Sequence, residues 1–266
     1  MLFRSLTLPT VLAGLGVIDS EAEVTYTVER PDGSIQDVAI PSIERETVSG
    51  LVTIRDRLGE QGVTVPVSRR DTEKLYRYEF LAEHDALYVQ YNSCREDDSY
   101  PMDRFVDDVF GTIRERDASG LIVDLRRNGG GDSRVLHPFI DEVVAWSGGE
   151  SGERDGGRTV CVIIGRYTFS SAVLNAIDLK QRADAVFVGE PSGGRPNHYG
   201  EVKSLQLPDL GRRVTYSTKY FTHYKAGDPP ALMPDIDAPD SFEAYVRGRD
   251  PALETALEAC SGGGAD

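Results

Sequence analysis

Three stretches decide the fold: LIVDLRRNGGGD (121–132), TVCVIIGRYTFSSAVLNAIDLKQR (159–182) and AVFVGEPSGGRPNHYGE (185–201). Each begins with a short, continuous apolar run, which is typical of a strand buried on both faces of a sheet. Helical periodicity follows the first run at 135–146 and the second at 173–182. Strands that alternate with helices over short connections form right-handed crossovers. We therefore predict an α/β core of β-α-β units with a mainly parallel sheet.

The sequence on both sides of these stretches predicts further elements. Upstream, two β-rich runs are followed by a helix whose apolar residues recur at helical spacing. Downstream, two alternating runs predict a pair of strands, and an apolar periodic segment predicts a C-terminal helical piece. In chain order these elements are KLYRYEFLAE (74–83), HDALYVQYNSC (84–94), the helix at 102–117, VKSLQLP (202–208), RRVTYSTKYF (212–221) and the helical piece at 241–260.

The first 74 residues predict a small β-rich region. A short helix is expected at 5–18, followed by a hairpin of VTYTVE (24–29) and IQDVAIP (35–41) around the turn sequence PDGS. The rest, to residue 74, is predicted to be a connector with one amphipathic piece around 48–60. We thus expect three parts: an N-terminal α+β region at 1–74, a core domain at 75–260 and a disordered tail at 261–266.

Charge and hydropathy exclude several kinds of partner. The 266 residues include 44 acidic and 29 basic side chains, a net charge of −15. A net acidic chain is a poor match for nucleic acid, which rewards basic residues through counterion release, so no nucleic-acid partner is expected. No apolar run reaches the roughly 18 residues that a membrane span needs, so no integral membrane segment is expected. The compartment stays open: a cytoplasmic location is favoured over a secreted or periplasmic one.

The cysteines and histidines predict neither a disulfide framework nor a metal site. Cys94, Cys161 and Cys260 are odd in number and lack a C-x-x-C spacing, so we expect buried free thiols. The four histidines show no zinc-binding spacing. The glycine-rich loops lack the G-K-[ST] ending of a phosphate-binding loop. We expect no metal and no cofactor.

Three unusual loops follow the core strands: RRNGGGD, RYTFSS and PSGGRPNHYG. In parallel sheets, ligands collect at the carboxyl ends of the strands. Ser170 and Ser171 lie between a strand and a helix, where unpaired backbone N–H groups can stabilise developing negative charge. One serine could equally cap the helix, and the glycines could equally form a tight turn. A serine turn and a glycine loop at the same sheet edge are what an oxyanion site needs.

The motifs LIVDLRRNGGGD, GRYTFSSA, DAVFVGEPSGGRPNHYGE and MPDI, in this order, resemble those of the tail-specific, C-terminal-processing serine peptidases and the related tricorn core protease. The resemblance covers about residues 75–260. It implies a Clp protease/crotonase-like core and a serine endopeptidase that cleaves exposed or unfolded polypeptide through an acyl-enzyme. The N-terminal hairpin resembles the closing strands of the PDZ-like insertion found in many members.

The resemblance assigns roles to residues of the loops. It places the nucleophile on Ser170, with Ser171 as the second choice. Two backbone N–H groups, those of Gly130 and Ser171, are expected to form the oxyanion hole. The neighbouring glycines of the loops are expected to contact the substrate; they are Gly129, Gly131, Gly193 and Gly194.

The chain departs from the bacterial members of the family at the general base. Where they have a lysine, this chain has Arg195, and arginine does not deprotonate at accessible pH. We expect Arg195 to bind a substrate carboxylate instead. His198, three residues on, is the predicted general base. Weaker alternatives are His84, His137 and His223. The orienting carboxylate stays open among Asp178, close to the position of Gln181 where the family places it, Glu190 and Glu201.

Two other functions compete with proteolysis. The Arg195 departure favours a catalytically inactive module that binds peptides or apolar ligands in the cleft. A crotonase-like acyl-thioester enzyme would share the core, but it would need a basic site for the phosphates of coenzyme A, which this acidic chain does not offer. The expected partner is a polypeptide substrate, and a homo-oligomer is compatible with the sequence.

Overall fold

The computed structural model describes residues 9–30, 32–42, 58–60, 62–149, 158–208, 211–225 and 227–260. It divides the chain into two compact units, Met1–Thr53 and Ile54–Asp266. Residues 58–74, as far as they are described, therefore belong to the larger unit. The division into domains at residue 74 stays a prediction. Most of the amphipathic piece predicted around 48–60, and the predicted tail at 261–266, lie outside the described residues.

The smaller unit contains a helix and a hairpin. Helix α1 (Pro9–Gly14) precedes strands β1 (Glu23–Glu29) and β2 (Ile35–Pro41), which pair antiparallel. The turn forms because the Asp32 carboxylate accepts the Ser34 N–H at 2.9 Å and Gly33 adopts a φ of +80°.

The larger unit alternates strands and helices, as the sequence predicts. Its elements, apart from short 3₁₀ turns, are β3 (Tyr76–Leu81), β4 (Ala86–Tyr91), α2 (Met102–Arg116), β5 (Gly120–Asp124), α3 (His137–Ser147), β6 (Thr159–Ile164), α4 (Ser171–Ala183), β7 (Val186–Gly189), β8 (Asn197–Leu207), β9 (Arg212–Thr222), β10 (Ile236–Asp237), α5 (Phe242–Val246) and α6 (Pro251–Cys260).

The central sheet has six strands in the order β10-β7-β6-β5-β4-β3. All neighbouring pairs are parallel except β3 and β4, which form an antiparallel pair at one edge. This confirms the predicted α/β class with a mainly parallel sheet. Strands β8 and β9 pair with each other in a separate antiparallel ribbon.

Both faces of the sheet are buried, which explains the continuous apolar runs. Alternate residues of β5 point to opposite faces: Leu121 and Val123 belong to one apolar cluster, and Ile122 belongs to the other. Helices α2, α3 and α4 cover the first face, and α6 covers the second. No helix in the described part of the chain is both long enough and apolar enough to cross a bilayer.

The expectation of three free thiols is wrong for two of the cysteines. Cys161 of β6 and Cys260 of α6 form a disulfide, with their Cα atoms 6.2 Å apart. They are 99 residues apart in sequence, so no local spacing of cysteines indicates the pair. Cys94 is buried and free, as expected. The disulfide attaches the C-terminal helix to the middle of the sheet.

A buried ionic cluster fastens the same face of the sheet. Arg126 donates to both oxygens of Asp124 and, at 2.7 and 2.8 Å, to the two oxygens of Asp250. The Ser68 hydroxyl also donates to Asp250, and the Tyr88 hydroxyl donates to Asp124 at 2.7 Å. Because every charge has an opposite partner, the cluster satisfies the polar groups that the fold buries.

We expect Asp250→Asn to destabilise the protein by about 2 kcal/mol at pH 7. Although burial raises the pKa of Asp250, Arg126 outweighs it and lowers that pKa to about 2. A carboxylate with a lowered folded-state pKa stabilises the fold above its unfolded pKa of about 4. That stability is lost as the pH falls from about 4 to about 2.

Urea unfolding of the wild type and Asp250→Asn between pH 2 and pH 7 measures this contribution, with Glu258→Gln on the exposed side of α6 as control. The free energies of unfolding of the wild type and Asp250→Asn should differ at pH 7 and converge near pH 2. Equal free energies of unfolding at pH 7 would contradict a stabilising cluster.

Candidate active site

The serine turn between β6 and α4 has a strained backbone. Ser170 has φ 53° and ψ −125°, which an L-residue adopts only when its surroundings enforce it. Thr168 anchors the turn: its hydroxyl donates to the Leu125 carbonyl at 2.9 Å and accepts the Gly165 N–H at 3.0 Å. Helix α4 starts at the next serine. The turn thus presents Ser170 at the amino end of a 13-residue helix.

The two adjacent serines have different environments. Ser171 is buried, and its hydroxyl donates to the Gly131 carbonyl at 2.6 Å. Ser170 is partly exposed, and within the described ranges its hydroxyl has no hydrogen-bond partner. The accessible hydroxyl is therefore that of Ser170, while Ser171 ties the start of α4 to the glycine loop.

The glycine loop lies directly against the serine turn. A Cβ atom on Gly130 would lie 2.8 Å from the Ser170 Cβ and 2.9 Å from the Phe169 carbonyl oxygen. Gly131 approaches the chain on its other side, where an added Cβ would lie 2.1 Å from the Cys94 carbonyl oxygen. Both glycines have positive φ, +100° and +142°. Only glycine fits these two positions, because backbone packs on both sides of them.

Buried amides that sequence reasoning missed hold this loop. Asn128 is fully buried; its side chain accepts the Gly130 N–H at 2.9 Å and donates to the Tyr91 carbonyl at 3.0 Å. Asn175, also buried, donates to the Ser133 carbonyl at 2.9 Å. The only hint in the sequence is the asparagine of the L-R-x-N motif. The Gly130 N–H, a predicted oxyanion donor, is thus engaged by Asn128.

The other predicted oxyanion donor is free. The Ser171 N–H, at the first position of α4, has no hydrogen-bond partner in the part of the chain that the structure describes. The amino end of the helix adds a positive electrostatic potential at this point. A negatively charged oxygen beside Ser170 would be stabilised by both.

The loop after β7 packs against the serine turn from the other side. The N–H groups of Gly193 and Gly194 both donate to the Thr168 carbonyl at 3.1 Å. A Cβ on Gly194 would lie 3.2 Å from the Phe169 Cα. The structure therefore places all three loops predicted from the sequence at one edge of the sheet.

His198 lies in this third loop, at the second residue of β8. Its Nδ1 is 2.9 Å from the carbonyl oxygen of Arg195. Because a carbonyl can only accept, we assign the proton of the neutral ring to Nδ1, which leaves a lone pair on Nε2. The ring packs beside Phe221, with centroids 5.8 Å apart. Among the described residues, no hydrogen bond joins His198 to Ser170.

Arg195 is paired with a residue that sequence reasoning missed. Its Nη2 lies 2.9 Å from a carboxylate oxygen of Asp228 and donates to the carbonyl of the same residue at 3.2 Å. Both side chains are about half-exposed. No local signal links the two positions, which are 33 residues apart.

The alternative bases and carboxylates are distributed elsewhere. The His223 Nε2 lies 2.7 Å from a carboxylate oxygen of Asp178, on α4. His84 precedes β4, at the amino edge of the sheet, opposite the serine turn. His137 begins α3. The remaining candidates have other neighbours: Glu190 pairs with Arg166, Glu201 lies 3.8 Å from Lys219, and Gln181 lines a cavity with Ile177 and Tyr224.

Within the described ranges, no three or more histidine, cysteine, aspartate or glutamate side chains converge in a way that could hold a metal ion. The chemistry that the site's own groups offer is that of a hydroxyl, an imidazole and backbone N–H donors. Such a set can transfer an acyl group.

Comparison with known proteins identifies the family. The sequence matches the family model "Peptidase family S41" over residues 85–238, more than half of the chain. No curated protein matches it significantly. A putative peptidase from Parabacteroides merdae ATCC 43184 is similar in structure, with a TM-score of 0.53 and 19% identity over 78% of this chain and 69% of that one.

Mature CPAF complexed with lactacystin is also similar, with a TM-score of 0.51 and 13% identity over 90% of this chain and 67% of that one. The tricorn protease gives a TM-score of 0.46 and 16% identity over 90% of this chain and 22% of that one. At these identities the first two structures support the fold, and the family rests on the sequence match. The chain belongs to peptidase family S41.

Proposed function

We propose that this chain is a serine endopeptidase that cleaves exposed or unfolded polypeptide through an acyl-enzyme at Ser170. Membership of family S41 supports a serine-type peptidase. The observation that carries the assignment to Ser170 is its strained backbone, with its hydroxyl partly exposed beside Gly130. Strain of this kind is kept where a side chain must be presented to a substrate.

The proton path runs through His198 in this proposal. The Arg195 carbonyl fixes the neutral ring with its lone pair on Nε2, the form a general base needs. Ser170 Oγ attacks the peptide carbonyl while Nε2 takes its proton. The imidazolium then returns the proton to the leaving amine, and water hydrolyses the ester by the same route. The missing hydrogen bond between His198 and Ser170 requires the loop to close when the substrate binds.

The oxyanion is stabilised by the Ser171 N–H and, in the proposal, by the Gly130 N–H. The Gly130 N–H must first give up its hydrogen bond to Asn128 Oδ1, in which the nitrogen and oxygen atoms are 2.9 Å apart. One donor of this kind typically contributes a hundred- to thousand-fold in rate, roughly 3–4 kcal/mol. Arg195 would exchange Asp228 for a carboxylate of the substrate, since a guanidinium binds either.

The second candidate function is a catalytically inactive module that binds polypeptide in the same cleft. Three observations favour it: arginine replaces the family's lysine, the Gly130 N–H is engaged, and no base contacts Ser170 in the described residues. This candidate keeps the peptide-binding cleft and predicts no covalent step.

A fluorophosphonate probe separates the two candidates, because it labels only an activated serine. We expect the wild type to be labelled. His198→Ala should be labelled much more slowly and should cleave unfolded casein 10²- to 10⁴-fold more slowly, the usual contribution of a general base. His223→Ala, which removes an imidazole paired with Asp178, is the matched control and should keep activity.

The comparison of Arg195→Lys completes the test. If the wild type is neither labelled nor active and Arg195→Lys gains activity, the wild type is the inactive module and the peptidase proposal is wrong. Labelling that survives His198→Ala but not His223→Ala would move the base to His223.

A further inference from the structure

The ribbon of β8 and β9 exposes an apolar face. Directly opposed residues of an antiparallel pair share a face, and residues two apart along a strand do so as well. Tyr199 opposes Tyr220, and Leu205 opposes Val214. Alternation along β9 adds Tyr216 to the same face. These five side chains are 44–72% exposed.

The two strands also have the opposite charge to the rest of the chain. They contain four basic residues and one acidic residue, whereas the whole chain has a net charge of −15. Lys203, opposite Tyr216, places one of these charges on the apolar face. The charged residues of the strands are Glu201, Lys203, Arg212, Arg213 and Lys219.

The length of the ribbon separates its far end from the acidic body electrostatically. Each strand has 11 residues, which extend to about 37 Å at about 3.4 Å per residue. At physiological ionic strength, charges are screened beyond about 8 Å. The field at the far end is therefore set by the local charges, which in the sequence are Arg212, Arg213 and, in the connection between the strands, Asp209.

The ribbon is continuous with the candidate site. Strand β8 starts at Asn197, and its second residue is His198. Asn197 also holds the segment that leaves β9 at this same end of the ribbon: its side chain accepts the Tyr224 N–H at 3.0 Å and donates to the Gly227 carbonyl at 3.0 Å. Tyr199, the first residue of the apolar face, therefore adjoins His198 in sequence. The His198 side chain, opposed to Phe221, lies on the other face of the ribbon.

We propose that the apolar face of this ribbon is a docking surface for an extended, acidic polypeptide with apolar side chains. Exposed apolar patches on soluble proteins mark interaction sites. Lys203, which lies on the apolar face, favours acidic chains over basic ones. Tyr199, Tyr216 and Tyr220 provide rigid surfaces for apolar side chains. This docking surface names a substrate class for the proposed peptidase. Cleavage of the docked chain rests on the proposed function, whereas docking itself does not.

Binding is measured with the Ser170→Ala protein, so that no cleavage is needed. The probe is a fluorescent, unstructured 20-residue peptide that alternates glutamate with leucine or phenylalanine, and its anisotropy is followed at 50 and 300 mM salt. We expect the Tyr216→Ser/Tyr220→Ser double variant to bind it about tenfold more weakly. Lys203→Glu should also bind more weakly and should lose part of the salt dependence.

Two matched controls come from the chain itself. Val202 is 65% exposed and lies on the opposite face of the ribbon, opposed to Ser217. Val202→Ser removes an exposed apolar side chain without touching the docking face. Lys225→Glu reverses an exposed charge outside both strands. Both variants should bind the peptide as the parent does, and a peptide with lysine in place of glutamate should bind weakly to all.

The outcomes separate this inference from the proposed function. Peptide binding that depends on Tyr216 and Tyr220 supports docking even when the wild type is not labelled by a fluorophosphonate. Cleavage of unfolded protein by the wild type, with equal peptide affinity in the ribbon variants and controls, overturns docking and leaves the peptidase intact. Sedimentation gives a further outcome: the parent protein is a dimer, and the Tyr216→Ser/Tyr220→Ser variant is a monomer with unchanged peptide affinity. That result overturns docking, because the face then binds a second copy of the chain.

Discussion

Ser170→Ala is expected to abolish hydrolysis of unfolded casein, with a loss of about 10⁶-fold, while Ser171→Ala retains much of the activity. The difference follows from the two environments. The Ser170 hydroxyl is partly exposed and free within the described residues, whereas the Ser171 hydroxyl donates to the Gly131 carbonyl at 2.6 Å. Alanine at 171 removes that hydrogen bond and leaves the backbone N–H in place.

Ser171→Ala serves as the matched control, because it removes a hydroxyl from the same turn. Its effect should be a modest fall in the rate, since the start of α4 loses one link to the glycine loop. Circular dichroism of both variants checks that the fold is retained. A complete loss in Ser171→Ala, together with a labelled Ser170→Ala, would transfer the nucleophile to Ser171.

Removal of the disulfide is expected to have the largest effect on stability. Cys161 and Cys260 close a loop across 99 residues, for which the loss of chain entropy predicts about 4.7 kcal/mol of stabilisation. The double variant Cys161→Ala/Cys260→Ala should therefore unfold at a markedly lower temperature than the wild type. The wild type should approach that temperature when dithiothreitol is added, and the double variant should not respond.

Cys94→Ala is the control for the loss of a sulfur atom without the loss of a crosslink. Burial raises the pKa of the Cys94 thiol to about 11, so it should react slowly with a thiol reagent in the folded protein. After denaturation without reductant, one thiol should react per chain. Three reactive thiols would contradict the disulfide. Since disulfides persist in oxidising compartments, the pair also favours such a compartment over the cytoplasm expected from the sequence.

The sheet could be predicted because its signals are local. The runs at 121–126 and 159–165 are continuously apolar, since both faces of β5 and β6 are buried. The meeting of the glycine loop with Ser170 could also be predicted, because parallel strands end at the same edge. Topology alone was enough for that part of the site.

The remaining contacts depend on residues far apart in the chain. Arg195 meets Asp228 across 33 residues, and Arg126 meets Asp250 across 124. Neither pair has a spacing that a sequence window can detect. The engagement of the Gly130 N–H by Asn128 is local, yet it follows from a buried side-chain rotamer that no pattern encodes.

The ionic cluster around Arg126 has a consequence for the order in which the chain can fold as it is synthesised. Ser68 and Arg126 leave the ribosome early, whereas Asp250 and helix α6 emerge more than a hundred residues later. Until then, the sheet face that α6 covers stays open, with Arg126 paired to Asp124 alone. The nascent protein therefore passes through a stage in which an unfinished apolar surface must be kept from aggregating.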